Sequence, residues 1–318
     1  MRPIIILEIP VNEQEYDVIV VGGGPAGLAS AIYTARAGAR TLLLDQSVVG
    51  GRAIYAVNVE NYPGFPDGLH GGELVSRMAK QAEKFGAVVR SGEAARSLTL
   101  SNDPKVVKTD MCEYIAKSVV VATGLMQRKL NLPGEERLTG RGVSYCSTCD
   151  GNFFKGKTVV VVGSGNEAAR DLIYLSTIAS KLYWLCNSKN VTADEALVRK
   201  VEERGIKPDL DRMVVQVVGE EVVKGLKVKA FNGADETIET NGIFFATGTT
   251  PATDFLYKTG IDLDANGYIK INTEMETNIP GVFAAGDCTG KSHQIIVAVG
   301  QGATAGIMAS AYTKMKQS

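Results

Sequence analysis

Tyr16-Asp17-Val18-Ile19-Val20-Val21-Gly22-Gly23-Gly24-Pro25-Ala26-Gly27 decides the fold. Its first half is a short, β-branched apolar run, the pattern of a strand buried on both faces of a parallel sheet. Its second half carries Gly22, Gly24 and Gly27 in G-x-G-x-x-G spacing. The first glycine permits the tight turn. The second lets a pyrophosphate approach the backbone, and the third lets the next helix pack on the strand. Leu28 to Ala37 reads as that helix, ended by Gly38, and Thr41 to Leu44 reads as the next strand. Asp45 follows Gly27 by 18 residues, where a carboxylate would accept from a ribose hydroxyl. Alone, the glycine spacing is a weak signal. With strand, helix, second strand and acid in order it points to a dinucleotide site.

The pattern repeats. Thr158 to Val162 is again an apolar strand, followed by Gly163, Gly165 and Ala168 in the same spacing. Repetition of strand, glycine turn and helix predicts two doubly wound domains. Gly22 to Asp45 is 23 positions, and the same count from Gly163 reaches Cys186. A planar arginine fork recognises a 2′-phosphate and an acid recognises a free 2′-hydroxyl. Cys186-Asn187-Ser188 and then Thr192 offer neither, and Lys189 supplies only a flexible point charge. Glu167, at the start of the second helix, would either stabilise that helix or compete with a pyrophosphate for its N-terminus.

Between the two turns stands Cys146-Ser147-Thr148-Cys149-Asp150. Two thiols two residues apart can close a reversible disulfide. Five cysteines in 318 residues are too few for a secreted disulfide scaffold, so a redox dithiol is the reading. Zinc would need a second ligand pair at short spacing. Cys112, Cys186 and Cys288 are scattered, only His70 and His293 exist, and no metal is expected.

Composition narrows the class. Apolar residues make up 45% and charged residues 22%, with a net charge of −1, which gives no basic field for nucleic acid and no polybasic patch for a membrane. No apolar run approaches the roughly 20 residues that span a bilayer. Residues 1–15 lack the features of a signal peptide and read as an extension. A cytoplasmic setting is expected, where thiols stay reduced.

Both glycine turns, the Cys146–Cys149 pair with Asp150 behind it, and Gly286-Asp287 near the end stand in the order found in low-molecular-weight thioredoxin reductases. These are FAD-dependent pyridine nucleotide-disulfide oxidoreductases. The chain resembles them from about Tyr16 onward. The resemblance implies an α/β fold of two Rossmann-like domains, the second inserted in the first. Residues 1–126 and 251–318 would bind FAD, and residues 127–250 would carry the dithiol. Gly22, Gly24, Pro25, Ala26, Gly27, Asp45 and Gln46 become FAD contacts. Gly50-Gly51 and Asn61-Tyr62-Pro63-Gly64-Phe65 match the flavin-contact segment, with Arg52-Ala53 in place of the usual Gln-Leu. Gly51, Arg52 and Asn61 are therefore added. Thr123 and Gly124 lie in the turn by which the family's chain leaves its first domain. Asp287 is implied to accept from the ribityl chain, and Gln294 and Ile295, within His293-Gln294-Ile295, to meet the flavin ring through their backbone. On their own, Asn61 reads as a turn residue and Asp287 as a cap.

The resemblance also implies roles. Cys149 lies nearer the flavin, Cys146 is the interchange thiol, and Asp150 is the acid that protonates a leaving thiolate or reduced flavin. Asp150 could instead cap a helix start and lower the Cys149 pKa. The domains would rotate about linkers near 125–128 and 248–252. NADPH-dependent relatives carry His-Arg-Arg at 186–188 and another Arg at 192, so ordinary NADPH is not the expected donor and NADH finds no acid. Archaeal and anaerobic relatives with this loss use a deazaflavin coenzyme or ferredoxin. The leading reading is an FAD-dependent reductase of thioredoxin or a thioredoxin-like protein, expected as a homodimer. A small-molecule dithiol oxidase and a flavin-bound redox sensor are the alternatives.

Overall fold

The computed structural model of the protein describes residues 14–56, 58–230, 233, 235–290 and 292–316. Most of the stretch read as an N-terminal extension lies outside the described residues. The chain divides into two compact units, one built from residues up to Met126 and from Thr250 onward, the other from Gln127–Thr249.

In chain order, β1 (Glu15–Val21), α1 (Pro25–Arg36), β2 (Thr41–Asp45), α2 (Gly71–Lys84) and β3 (Val88–Ser91) lead to β4 (Ala95–Thr99), β5 (Lys105–Thr109) and β6 (Glu113–Val121). The strand β7 (Leu125–Gln127) crosses into the second unit. There follow α3 (Glu135–Leu138), β8 (Val143–Ser144), α4 (Ser147–Asp150), β9 (Thr158–Val162), α5 (Asn166–Leu175), β10 (Lys181–Leu185), α6 (Glu195–Glu202) and β11 (Pro208–Asp209). An antiparallel set, β12 (Arg212–Gly219), β13 (Val223–Ala230) and β14 (Asp235–Glu239), precedes β15 (Gly242–Phe245). The chain returns through β16 (Thr249–Pro251), which pairs with β7, to β17 (Val282–Ala284) and α7 (Ile295–Met315).

In the first unit β3, β2, β1, β6 and β17 form a parallel sheet in that order. Both faces are buried. Val18, Val20, Leu43, Val120 and Phe283 belong to one core, and Ile19, Val21, Leu42, Leu44, Val119 and Val121 to the other. Alternate side chains point to opposite faces, so a strand covered on both sides must be apolar throughout. Helix α1 begins with Pro25 in its first turn, where the missing N–H costs nothing. It packs on α7 by close backbone approach: a Cβ at Gly302 would fall 2.1 Å from the Ala26 carbonyl oxygen. Ser30 Oγ donates to the Gly302 carbonyl at 2.8 Å. Helix α7 has the length and apolarity of a membrane span, but its glycine- and alanine-rich side is the core contact of α1. His70 is a cap: its Nδ1 accepts from Gly72 N at 3.1 Å at the start of α2.

The second unit repeats this plan, with β11, β10, β9, β15 and β8 parallel in that order. Val21 pairs with Leu44 in the first unit, and Val162 with Leu185 in the second. The count that equated Asp45 with Cys186 is therefore also a structural equivalence. The fifth strand differs in its place along the chain. β17 comes last in its sheet, whereas β8 is met first. The strand β17 stops at Ala284, because Gly286 (φ +83°) turns the chain and Asp287 opens a short 3₁₀ turn.

Candidate functional site

In open parallel sheets ligands bind outside the carboxyl ends of the strands. In the first unit those ends bring the candidate residues together. A Cβ at Gly22 (φ +106°) would lie 2.3 Å from the Ala122 carbonyl oxygen, and one at Gly286 would lie 2.8 Å from Ala26 Cβ. The turns after β1, β6 and β17 thus touch. A Cβ at Gly27 would fall 1.8 Å from the Gly22 carbonyl oxygen, so the third glycine is the helix-to-strand contact. Asp45 reaches over the turn: its Oδ2 accepts from Gly23 N at 2.7 Å and its Oδ1 from Ser47 N at 2.8 Å. Oδ1 also accepts from Ser47 Oγ at 3.2 Å, so it is Oδ2 that keeps a lone pair for a ligand. Gln46 is exposed beside it.

Gly51 packs against Gly24, and Arg52 follows in a short 3₁₀ turn. Burial pushes the Asp287 carboxyl above the usual range, and the charges of His293 and Arg52 pull it partway back. Arg52, which departs from the family pattern, is therefore near enough for its charge to act on Asp287. Asn61 Nδ2 donates to Gln294 Oε1 at 3.0 Å, joining two candidate residues 233 positions apart. Gln294 precedes the first turn of α7 and Ile295 begins it. Thr123 Oγ1 is buried without a hydrogen-bond partner, next to the left-handed Gly124 (φ +67°). An orphan hydroxyl, an open approach at Gly24 and a helix start without an acid suit an anionic dinucleotide.

In the second unit β8 delivers the dithiol to the carboxyl end of its sheet, the place Asp287 holds after β17. Cys146 and Cys149 are joined, S–S 2.06 Å, with Cα atoms 5.3 Å apart. Cys146 begins α4: its Sγ accepts from Cys149 N at 3.2 Å. Cys149 is exposed and Cys146 half-buried. Asp150 caps no helix start. Its Oδ2 accepts from Ser144 Oγ at 2.7 Å, and Ser144 Oγ in turn accepts from Cys146 N at 3.0 Å. Tyr145 is anchored by its hydroxyl to the buried Glu135 carboxylate, which also accepts from Leu130 N and Leu132 N. Burial, then the Glu135 charge, raises the Tyr145 phenol. Ser147 Oγ donates to Asp171 Oδ1 at 2.6 Å.

The second glycine turn is built differently from the first. Cys186, the equivalent of Asp45, is fully buried, and its thiol donates to the Gly163 carbonyl at 3.4 Å. Burial first, and Asp209 second, push that thiol up to about 11. Trp184 Nε1 donates to the same carbonyl at 2.8 Å. Thr192 N donates to the Ser164 carbonyl at 2.8 Å, and Asn166 is bonded to Asp194 in both directions. Glu167 lies in the first turn of α5 and accepts from Gln127 Nε2 at 3.0 Å.

Sequence reasoning singled out both turns, Asp45, Asp150 and Asp287. It missed Ser144 on β8, Glu135 on α3 and Asp171 on α5, and gave Ser147, inside the dithiol motif, no partner. The one available signal was helical spacing, which puts Asp171 four positions after Glu167 on one face of α5. Cys186, Cys288 and Trp184 are buried, whereas Cys112 is half-buried.

The profile of the pyridine nucleotide-disulphide oxidoreductase family matches residues 16–302. The thioredoxin reductase of Listeria monocytogenes is 38% identical over 307 residues, covering 95% of each chain. The solved thioredoxin reductase of Lactococcus lactis superposes with a TM-score of 0.84 at 34% identity, covering 94% of this chain and 99% of that one. That of T. acidophilum superposes with a TM-score of 0.82 at 37% identity, covering 95% and 99%. Two Rossmann-like units, a closed Cys146–Cys149 pair and these likenesses agree: the chain is an oxidoreductase and belongs to the thioredoxin reductases of the pyridine nucleotide-disulphide oxidoreductase family.

Proposed function

We propose that the protein is an FAD-dependent disulfide reductase of thioredoxin or a thioredoxin-like protein, and that its electron donor is not ordinary NADPH. The observation that carries the redox reading is the joined Cys146–Cys149 pair beside Asp150 at the carboxyl end of a parallel sheet. The family is FAD-dependent. When bound, FAD supplies the conversion of a two-electron donor into dithiol reduction. The first glycine turn, Asp45, Thr123, Asp287 and the Asn61–Gln294 pair would hold it.

In the reduced protein the Cys146 thiolate attacks the partner disulfide and forms a mixed disulfide. Cys149 then loses its proton and, as the thiolate, attacks the Cys146 sulfur, which re-forms the bond and releases the partner as a dithiol. Asp150 is the group in place to move the proton to the departing sulfur. Because Cys149 is the more exposed residue of the pair in the oxidised form, the order of attack is tested by trapping. With Cys149→Ser a stable mixed disulfide should form through Cys146, and with Cys146→Ser none. The reverse result would exchange the two roles. A cavity of about 290 Å³ lined by Arg141, Ser144, Asp150, Phe153, Lys157 and Lys224 adjoins the site, and Phe153 is 74% exposed there. An apolar partner surface with an acidic rim fits it better than a small dithiol. The homodimer belongs to the same proposal.

The donor claim rests on Cys186, Asn187, Ser188 and Thr192, none of which carries the charged planar fork that recognises a 2′-phosphate. Anaerobic stopped-flow mixing with NADPH and then NADH tests it. No flavin bleaching with either, and full bleaching with dithionite, is expected, after which reduced deazaflavin and ferredoxin are compared as donors. Saturable bleaching by micromolar NADPH would overturn the claim and leave the reductase reading intact.

A further inference from the structure

Asp171 is the group near the dithiol that the exchange chemistry leaves unused. It lies on α5, whose side packs on α4. Ser147, between the two cysteines, is buried and gives Asp171 its hydroxyl proton at 2.6 Å. One turn earlier on the same helix, Glu167 takes a hydrogen bond from Gln127, whose own Oε1 is buried without a partner. Two carboxyls one turn apart repel when both are ionised. Burial, opposed by the Ser147 hydrogen bond and aided by Glu167, pushes the Asp171 carboxyl up to about 7. Among the other titratable groups on α5 and the elements packed on it, Lys181, Lys200 and Glu202 are exposed, and Tyr174 and Tyr183 are half-buried. Asp150 is bonded to Ser144, Asp194 to Asn166, and Arg199 to Glu195, while Arg170 on α5 is exposed.

We propose that Asp171 is a positioning residue that stores a proton for the dithiol, taking one up when Cys146–Cys149 is reduced and releasing it on reoxidation. The inference rests on the redox-dithiol reading of that pair. Two electrons from a reduced flavin or a small dithiol and one proton convert the disulfide to a thiol and a thiolate. The new sulfur charge forms at α4, which packs on α5 and is tied to Asp171 through Ser147, and a second proton from solvent converts the Asp171 carboxylate to the neutral acid. Ser147 keeps its hydrogen bond to the carbonyl oxygen that remains.

The test is a redox equilibration of the flavin-loaded protein with oxidised and reduced dithiothreitol from pH 5.5 to 8.5. The dithiol is counted as two further alkylations by intact mass, and the flavin is followed separately by absorbance. The ratio of reduction constants, wild type over Asp171→Asn, should be near one at low pH, where both side chains are neutral. It should fall about threefold or more by pH 8.5, since a coupling of half a pKa unit is about threefold. Asp171→Glu should restore the fall. Ser147→Ala, which removes the bond that lowers the carboxyl's pKa, should move the pH dependence to higher pH. This variant carries the test even if Asp171→Asn fails to fold. A ratio constant with pH, or an unmoved Ser147→Ala profile, overturns the proposal. A bond that no protein variant reduces reversibly removes the redox reading as well, which separates the two failures.

Discussion

Asp45 and Cys186 hold the same place in two copies of one fold, and their surroundings have diverged around them. In the first unit the residue after the second strand is a carboxylate that holds the glycine turn from above, at the backbone N–H of Gly23. In the second it is a buried thiol spent on the Gly163 carbonyl. The first helix starts without an acid, whereas the second starts with Glu167. The third small residue is Gly27 in one and Ala168 in the other. A shared backbone plan thus preserves the turn while its chemistry changes. What the plan delivers at the fifth strand has diverged too: Asp287 beside the first turn, and a dithiol in the second unit.

The largest way to sharpen this contrast is to separate the two fifth strands. Cys146→Ser should lower reduction of a protein disulfide by roughly 10³-fold or more, since the nucleophile and the bond are both lost. Flavin content, read from the absorbance of the purified protein, should not change. Loss of flavin with the thiol would break the division of labour between the units. Next comes the third small residue. Gly27→Ala would force a Cβ to 1.8 Å from the Gly22 carbonyl oxygen, so destabilisation of about 3 kcal/mol or more and loss of flavin are expected. Ala168→Gly at the equivalent place should cost only about 1 kcal/mol, the helix-propensity difference. Equal effects in denaturant titrations would mean that the two turns pack alike.

Asp171→Asn probes the charge side of the second unit. The carboxyl titrates near 3.8 unfolded and near 7 folded, so its contribution to stability is intact below about pH 4 and is lost as pH rises to 7. The variant lacks that loss. Relative to wild type it should gain about 4 kcal/mol between pH 4 and 8, an order-of-magnitude figure from the size of the shift. Parallel urea midpoints at the two pH values would show it, and parallel curves would refute it. The smallest effect is expected at the helix start. Glu167→Gln removes one charge from the N-terminus of α5 and should tighten NADPH or NADH binding about fivefold, close to 1 kcal/mol. Calorimetry that finds no change would put the weakness of this turn on Cys186 to Ser188 alone.

Much of this was legible in the chain. Apolar runs on doubly covered strands and glycines at fixed spacing are local signals, because strand burial and tight turns act within a few residues. They determined both Rossmann-like turns, the equivalence of Asp45 with Cys186 and the missing arginine fork. The Cys-x-x-Cys spacing likewise determined a small disulfide, and its neighbours in order gave the family. The partners of those residues were not legible. Asn61 meets Gln294 across 233 positions, Arg52 and His293 act on Asp287 from separate turns, and Ser147 meets Asp171 from another helix. Hydrogen bonds and charges depend on distance in space, and only the packing of sheet ends and helices sets that distance. For the same reason tertiary structure alone assigned Asp150 to Ser144, where the sequence also allowed a helix cap.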